Sequence, residues 1–190
     1  MCVKELFFFV KVKNYFFVLS FFTFFTSRNL FLNCFFDKLI CDTLIQDFID
    51  ANKLNAQLLK FPSDASIDKA LSAAKLNISC YAKAFPFVDE KMDFFVVIAI
   101  ANEKVDVELA EDLFDENLEE VDSSEVLKLT GFEKEYFPPI SIFGAKVVFT
   151  KNAKKQKKLM FELSPREFLV IDIPSIEKSQ ELSDYFFEEK

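Results

Sequence analysis

Only two glycines occur in 190 residues, Gly131 and Gly144. Glycine alone takes positive φ at no steric cost and lets backbone come close to a ligand. A chain this poor in glycine is expected to keep them where the backbone shape cannot be replaced. Both fall in one stretch, Thr130 to Gly144, which reads TGFEKEYFPPISIFG. A short helical pattern, Ser124 to Leu129, runs into Gly131, which suits the left-handed residue just past a helix end. Pro138 and Pro139 then forbid helix and send the chain on extended. The stretch therefore reads as helix, glycine turn, stiff loop and strand.

What the composition lacks narrows the chemistry. There is no histidine, so histidine bases, histidine–zinc sites and Ser-His-Asp catalysis are excluded. The net charge is −8, which argues against affinity resting on broad phosphate neutralisation. It still allows a domain that grips only the end of a nucleic acid. Cys2, Cys34, Cys41 and Cys80 show no CxxC spacing and read as small hydrophobes or free thiols of a reducing compartment. The length suits one domain, with room for an appendage.

Residues 1–36 stand apart. They hold twelve of the 27 phenylalanines. Their longest uncharged run, Asn14 to Ser27, has 14 residues, short of the roughly 20 that span a bilayer. No small-residue cleavage site follows it, and Arg28 does, which disfavours a signal peptide. Three readings stay open: an extension outside the domain, whose start then lies near Asp37; an interfacial or membrane anchor; or a genuine core helix. A peripheral acidic tail is expected from residue 173 to 190.

From Asp37 the patterns are ordinary. Leu39, Ile40, Leu44, Ile45, Phe48 and Ile49 recur at helical spacing. Ala56 to Phe61 is a first strand, and Ser66 caps a helix running through Leu76. Ile78 to Val88 is a strand on which Lys83 shares a face with Tyr81, Phe85 and Phe87. Phe94 to Ala101 is apolar nearly throughout, as a central strand covered on both faces would be. Asn102 is tolerable in a turn wanting positive φ. Val107 to Phe114 is a short helix and Leu118 to Val121 a brief strand. Asp122 and Glu125 have capping-box spacing before the helix that reaches Gly131. Ile140 to Thr150 is one or two strands around Gly144, and Leu159 to Leu163 is a return strand. Ser164-Pro165-Arg166-Glu167 reads as a helix start.

Two features carry alternatives. Lys83 is either an edge lysine snorkelling past aromatics or a functional cation. The five lysines between Lys151 and Lys158 are either a solvated hairpin tip or a phosphate-contacting loop. The acidic run from Glu108 to Glu125 reads as a solvated face without calcium-loop order, and no metal or cofactor is expected.

Four pieces, taken in order, resemble the YbaK/ProX-type aminoacyl-tRNA editing domains. They are Ala82-Lys83-Ala84-Phe85, the turn Ala101 to Asp106, Thr130-Gly131 with Pro138-Pro139, and the Ser164-Pro165-Arg166-Glu167 run. They cover roughly residues 40–172. The resemblance implies an α/β (α+β) fold with a mixed, largely antiparallel sheet surrounded by short helices, and an editing domain over 37–172. It implies hydrolysis of the ester of a mischarged tRNA in the cytoplasm, with the 3′ aminoacyl end as ligand and an aminoacyl-tRNA synthetase as a candidate partner. Lys83 and Gly131 stand at the catalytic positions. Phe132, Glu133, Pro139, Ser141 and Gly144 would line the substrate site. Lys134 and Glu135 replace the family's Pro-Gly, so an inactive module of the same fold, binding a tRNA end or a protein, is the alternative. Membrane association is expected only through residues 1–36.

Overall fold

The computed structural model describes residues 8–12, 15–19, 44–141 and 144–187. Two compact units divide the chain, 1–36 and 37–190. In the first, β1 (Phe8–Val12) and β2 (Tyr15–Leu19) pair antiparallel, with Phe8 opposite Leu19. The rest of 1–36, including Cys2, Cys34, Arg28 and the segment around Ser27, lies outside the described residues, as does Cys41.

The second unit carries the fold expected from sequence. A helix, α1, is described over 44–52, so Leu39 and Ile40 fall outside the described residues. It is followed by β3 (Ala56–Lys60), α2 (Ile67–Ala74), β4 (Ala82–Val88) and β5 (Phe94–Ile100). Then come α3 (Val107–Phe114), β6 (Glu119–Glu120), α4 (Ser123–Thr130), β7 (Lys146–Phe149), α5 (Lys151–Lys154), β8 (Lys158–Ser164), β9 (Glu167–Asp172) and α6 (Ile173–Phe187).

These strands form two sheets. One has the order β3-β9-β8 and is antiparallel throughout. The other has the order β6-β4-β5-β7, in which only the β5–β7 pair is parallel. A parallel bridge between Tyr81 and Met160 joins them.

Side-chain alternation along the strands sorts the apolar residues into three clusters. The main core takes Ala82, Ala84, Ile98 and Ile100 from one sheet, and Phe161, Leu169 and Ile171 from the other. On the far face of the four-stranded sheet, Phe85, Phe87, Phe95 and Val97 pack under Ala110 of α3. On the far face of the other, Met160, Phe168 and Val170 pack under Ala70 and Leu71 of α2. Strand β5 thus contributes to clusters on both faces, and Phe95 to Ile100 are all buried, which is why its sequence is apolar without alternation.

Local chemistry sets the ends. Ser66 caps α2 by accepting from the Lys69 N–H at 3.3 Å, and Asp106 caps α3 by accepting from the Leu109 N–H at 3.2 Å. Asp122 does begin α4, but its side chain makes no capping bond. With glycine so scarce, four other residues among those described take left-handed conformations: Lys53, Lys75, Met92 and Asp115. Asn102, expected to tolerate positive φ, is not among them.

Three local expectations fail. Ser164 to Glu167 is not a helix start but the turn between β8 and β9, with Pro165 and Arg166 at its tip. The capping signature is overridden because the residues on both sides, Leu159 to Phe161 and Phe168 to Ile171, pair and bury as strands. The lysine run is not a hairpin tip: it opens as α5, capped by Thr150, whose Oγ1 accepts from the Ala153 N–H at 3.4 Å. The tail expected from residue 173 is not peripheral where it begins, for Ile173, Ile176 and Ser179 of α6 are buried.

Candidate functional site

Lys83 is exposed on β4, opposite Ala99 of β5. Its position between two aromatic-lined clusters follows from alternation. Two residues before it, Tyr81 packs in the cluster under α2. Two residues after it, Phe85 packs against the cluster under α3. Between them the sheet face is floored by Ala99, fully buried, and by Ala101. Small side chains there leave the ammonium uncovered. The lysine is not folded into a core: it pairs with β5 on one side, and β6 does not reach it on the other.

The edge of β4 away from β5 is only partly used. Tyr81 bridges to Met160 at one end, and Phe87 and Val88 pair with β6 at the other. A 3-10 turn, Lys134–Tyr136, packs against β4 and β8 along this edge. The glycine loop therefore does come beside the lysine strand. Gly131 closes α4 in the left-handed region, φ 78° and ψ −1°, and its N–H donates to Leu127 O at 2.8 Å. The Phe132 N–H donates to Thr130 Oγ1 at 3.2 Å, and that hydroxyl donates to Val126 O at 2.7 Å. Both N–H groups are thus committed within the loop, and Gly131 contributes shape rather than an oxyanion donor.

The remaining expected site residues separate by burial. Phe132 and Pro139 are buried, Phe132 within the main core. Ser141 is buried too: its N–H donates to Ser179 Oγ at 3.2 Å and its Oγ to Ala145 O at 2.7 Å. Gly144 also has positive φ, 74°. Glu133 is exposed and precedes the 3-10 turn. Where relatives have Pro-Gly, Lys134 and Glu135 adopt this turn without positive φ, so the replaced glycine has left no strained residue behind. Lys134 instead approaches Glu120 of β6 at 3.9 Å.

Sequence reasoning missed a polar group beside Lys83. The Tyr81 hydroxyl donates to Glu162 Oε2 at 3.2 Å. Burial, first, and then the negative charge and hydrogen bond of Glu162 hold the Tyr81 pKa well above its ordinary value. Tyr136 is raised as well, by burial and by the charges of Glu162, Glu133 and Glu135. The 3-10 turn that carries Tyr136 packs against β8, the strand of Glu162. The shared face of Tyr81 and Lys83 was the available signal; Glu162, 81 residues further along the chain, had none.

A groove of about 360 Å³ adjoins this region, lined among others by Ser79, Tyr81, Asn102, Asn152, Lys155 and Gln156. One of its walls is fixed by Glu103. This carboxylate accepts from the Ile100 N–H at 2.8 Å, from Thr150 Oγ1 at 2.7 Å and from Asn152 Nδ2 at 2.8 Å. Burial alone would raise its pKa. The hydrogen bonds and the charge of Lys155 outweigh that and hold it below the usual value. The turn after β5 is thereby tied to α5.

Residues 62–176 match the family model of the aminoacyl-tRNA editing domain. A search of curated proteins by sequence gives no significant match. Among solved structures, the hypothetical protein APE2540 is similar, with a TM-score of 0.61 at 16% identity, over 73% of this chain and 94% of that one. A candidate trans-editing enzyme for prolyl-tRNA synthetase is similar with a TM-score of 0.59 at 17% identity, over 73% and 90%. At such identities the two structures speak for the fold. No helix among the described residues is long and apolar enough to cross a membrane.

Proposed function

The chain belongs to the aminoacyl-tRNA editing domain family, and on that premise we propose that it is a trans-editing deacylase. It would hydrolyse the ester between a wrong amino acid and the 3′ end of its tRNA, in the cytoplasm, alone or beside a synthetase. The observation that carries this reading is Lys83, an exposed ammonium opposite Ala99, two residues from Tyr81 and on the strand that the 3-10 turn after Gly131 packs against.

The chemistry needs few groups. A water attacks the ester carbonyl, the C–O bond to the ribose breaks, and negative charge grows on the carbonyl oxygen in between. Lys83 is placed to stabilise that charge, an effect worth about 3 kcal/mol for a single well-aimed donor. The vicinal hydroxyl of the terminal ribose orients the water, which suits a site without histidine. Gly131 and the buried Phe132, Pro139 and Ser141 hold the loop's shape. Exposed Glu133 and the backbone at Gly144 border the amino acid. Such a second site is needed because a synthetase pocket gains only about 1–3 kcal/mol from one methylene.

The test uses the full chain against a pool of mischarged tRNAs, with Lys83→Ala as control. Release of an amino acid that vanishes in the folded variant supports the deacylase. The altered loop, with Glu135 where relatives carry glycine, favours a second reading, a module that binds a tRNA end without cutting it. Binding of tRNA with no release from any member of the pool would select that one.

A further inference from the structure

Five lysines lie between 151 and 158 in a chain that carries 31 acidic residues against 23 basic ones. The structure gathers them around α5 and the entry to β8. Lys154 is paired with Glu177, and Lys155 donates to Asn152 Oδ1 at 3.3 Å. Lys151 and Lys157 are exposed and make no ion pair among the described residues. Among the described residues, two carboxylates bond to α5: Glu177 to Lys154, and Glu103 to Asn152, the latter also accepting from Thr150 and the Ile100 N–H. The positive charge is therefore local, and at Lys151 and Lys157 no ion pair offsets it among the described residues.

The surface is also shaped. On one side of α5 lies a groove of about 610 Å³ whose floor includes Val147 and Phe149, with Lys151, Lys154 and Lys155 along it. On the other lies the 360 Å³ groove with amide side chains from Asn102, Asn152 and Gln156, and exposed Ile78 beside it. Lys155 borders both. The second groove ends at Tyr81, two residues, or about 7 Å of strand, from Lys83.

We propose that α5 and its lysines dock the phosphate backbone of an RNA strand near its 3′ end, which the 360 Å³ groove leads toward Lys83. Lysines alternating with apolar floor and amides suit a strand that presents phosphates outward and ribose or base faces inward. An acidic peptide would use the charge but leave the amide-lined groove without a role. The identification of the anion as RNA rests on the deacylase reading; the existence of the anion surface does not.

The experiment measures the affinity of the full chain for uncharged bulk tRNA across a range of salt. It compares the parent with Lys151→Gln/Lys155→Gln/Lys157→Gln and with the corresponding triple Arg variant. Each phosphate contact contributes about 0.7 to 0.9 to the slope of log affinity against log salt. The triple Gln variant is expected to lose about two in slope and at least tenfold in affinity at about 0.1 M salt, with an unchanged melting temperature. The Arg variant is expected to bind as the parent does. A triple Gln variant with the parent's slope overturns the proposal. So does parent binding to polyglutamate or to anionic phosphatidylserine vesicles that is tighter than to tRNA. If no charged tRNA is hydrolysed but the slope still falls, the deacylase reading fails and the docking surface stands. If hydrolysis occurs and the slope is unchanged, the reverse holds.

Discussion

The Tyr81 hydroxyl reaches Glu162 Oε2 at 3.2 Å at the point where the two sheets meet through the Tyr81–Met160 bridge. The hydrogen bond and the backbone bridge therefore secure the same junction, immediately before the strand that bears Lys83. Tyr81→Phe keeps the ring in its cluster and removes the donor. A loss of about 1 kcal/mol is expected at neutral pH. The pH dependence gives a sharper test. Tyr81 is raised above its ordinary value, so the folded state holds a proton that the unfolded chain gives up above about pH 10. Its contribution is complete below that pH and declines as pH rises further. Tyr136 acts in the same direction. Urea titrations between about pH 8 and 11 should show a shallower alkaline decline in Tyr81→Phe than in the parent. Equal declines would mean that Tyr81 is not held neutral by this junction.

Lys83 separates catalysis from folding. It is exposed and makes no ion pair among the described residues, so Lys83→Ala should change stability by less than about 0.5 kcal/mol. Deacylation should fall by about 100-fold or more. A variant that is equally stable and equally active would remove Lys83 from the reaction.

Gly131 and Lys75 make opposite predictions from one cause. Both occupy the left-handed region at a helix end, with φ 78° and 57°. Gly131→Ala puts a Cβ where none is tolerated cheaply and should cost about 1 kcal/mol. Lys75→Gly removes that penalty at an exposed position and should stabilise by about 0.5 kcal/mol once the greater freedom of the unfolded chain is counted. Denaturation midpoints moving in the same direction for both would contradict the backbone argument.

The contrast between these two positions also shows what the sequence could reveal. Gly131 was legible because glycine after a helical pattern has few other uses. Lys75 was not, because nothing about a lysine marks a left-handed cap; the helix before it dictates the conformation. Likewise, the uninterrupted apolar run of β5 disclosed its central place, whereas Ser164-Pro165-Arg166-Glu167 carried a helix signature into a β turn. Local signatures hold where the flanking residues agree with them. At β8 and β9, cross-strand pairing and burial decided instead. The lysine with aromatic neighbours was visible, but Glu162, the partner of Tyr81, was not, since pairing across 81 residues leaves no local trace.

Glu103 predicts the acid limb of stability. Its pKa is lowered from 4.5 although burial opposes this, because Thr150, the Ile100 N–H, Asn152 and Lys155 favour the charged form. A group lowered in the folded state stabilises above its unfolded value. That contribution is lost as pH falls from about 4.5 through the lower folded value. Glu103→Gln should cost about 1 to 2 kcal/mol at neutral pH and flatten the decline below about pH 4.5. A parent-like acid limb in this variant would show that the carboxylate is not held charged by these donors.

The final helix provides the test of where the domain ends. An acidic segment such as this one suggests a solvated tail, yet Ile176 is fully buried and belongs to the main core with Phe161, Leu169 and Ile171. Ser179, one turn further, accepts from the Ser141 N–H at the end of the glycine loop. Helix α6 thus both fills the core and anchors the loop that Gly131 begins. Ile176→Ala should cost about 2 to 4 kcal/mol through the lost burial and the cavity left behind. Ser179→Ala should cost less, about 1 kcal/mol, because only one hydrogen bond to the loop is lost. If the loop's geometry matters to the reaction, Ser179→Ala should still lower deacylation measurably in protein that remains folded. A chain shortened after residue 172 that keeps the parent's melting temperature would show that α6 is dispensable, and would return that segment to the solvated tail its composition suggests.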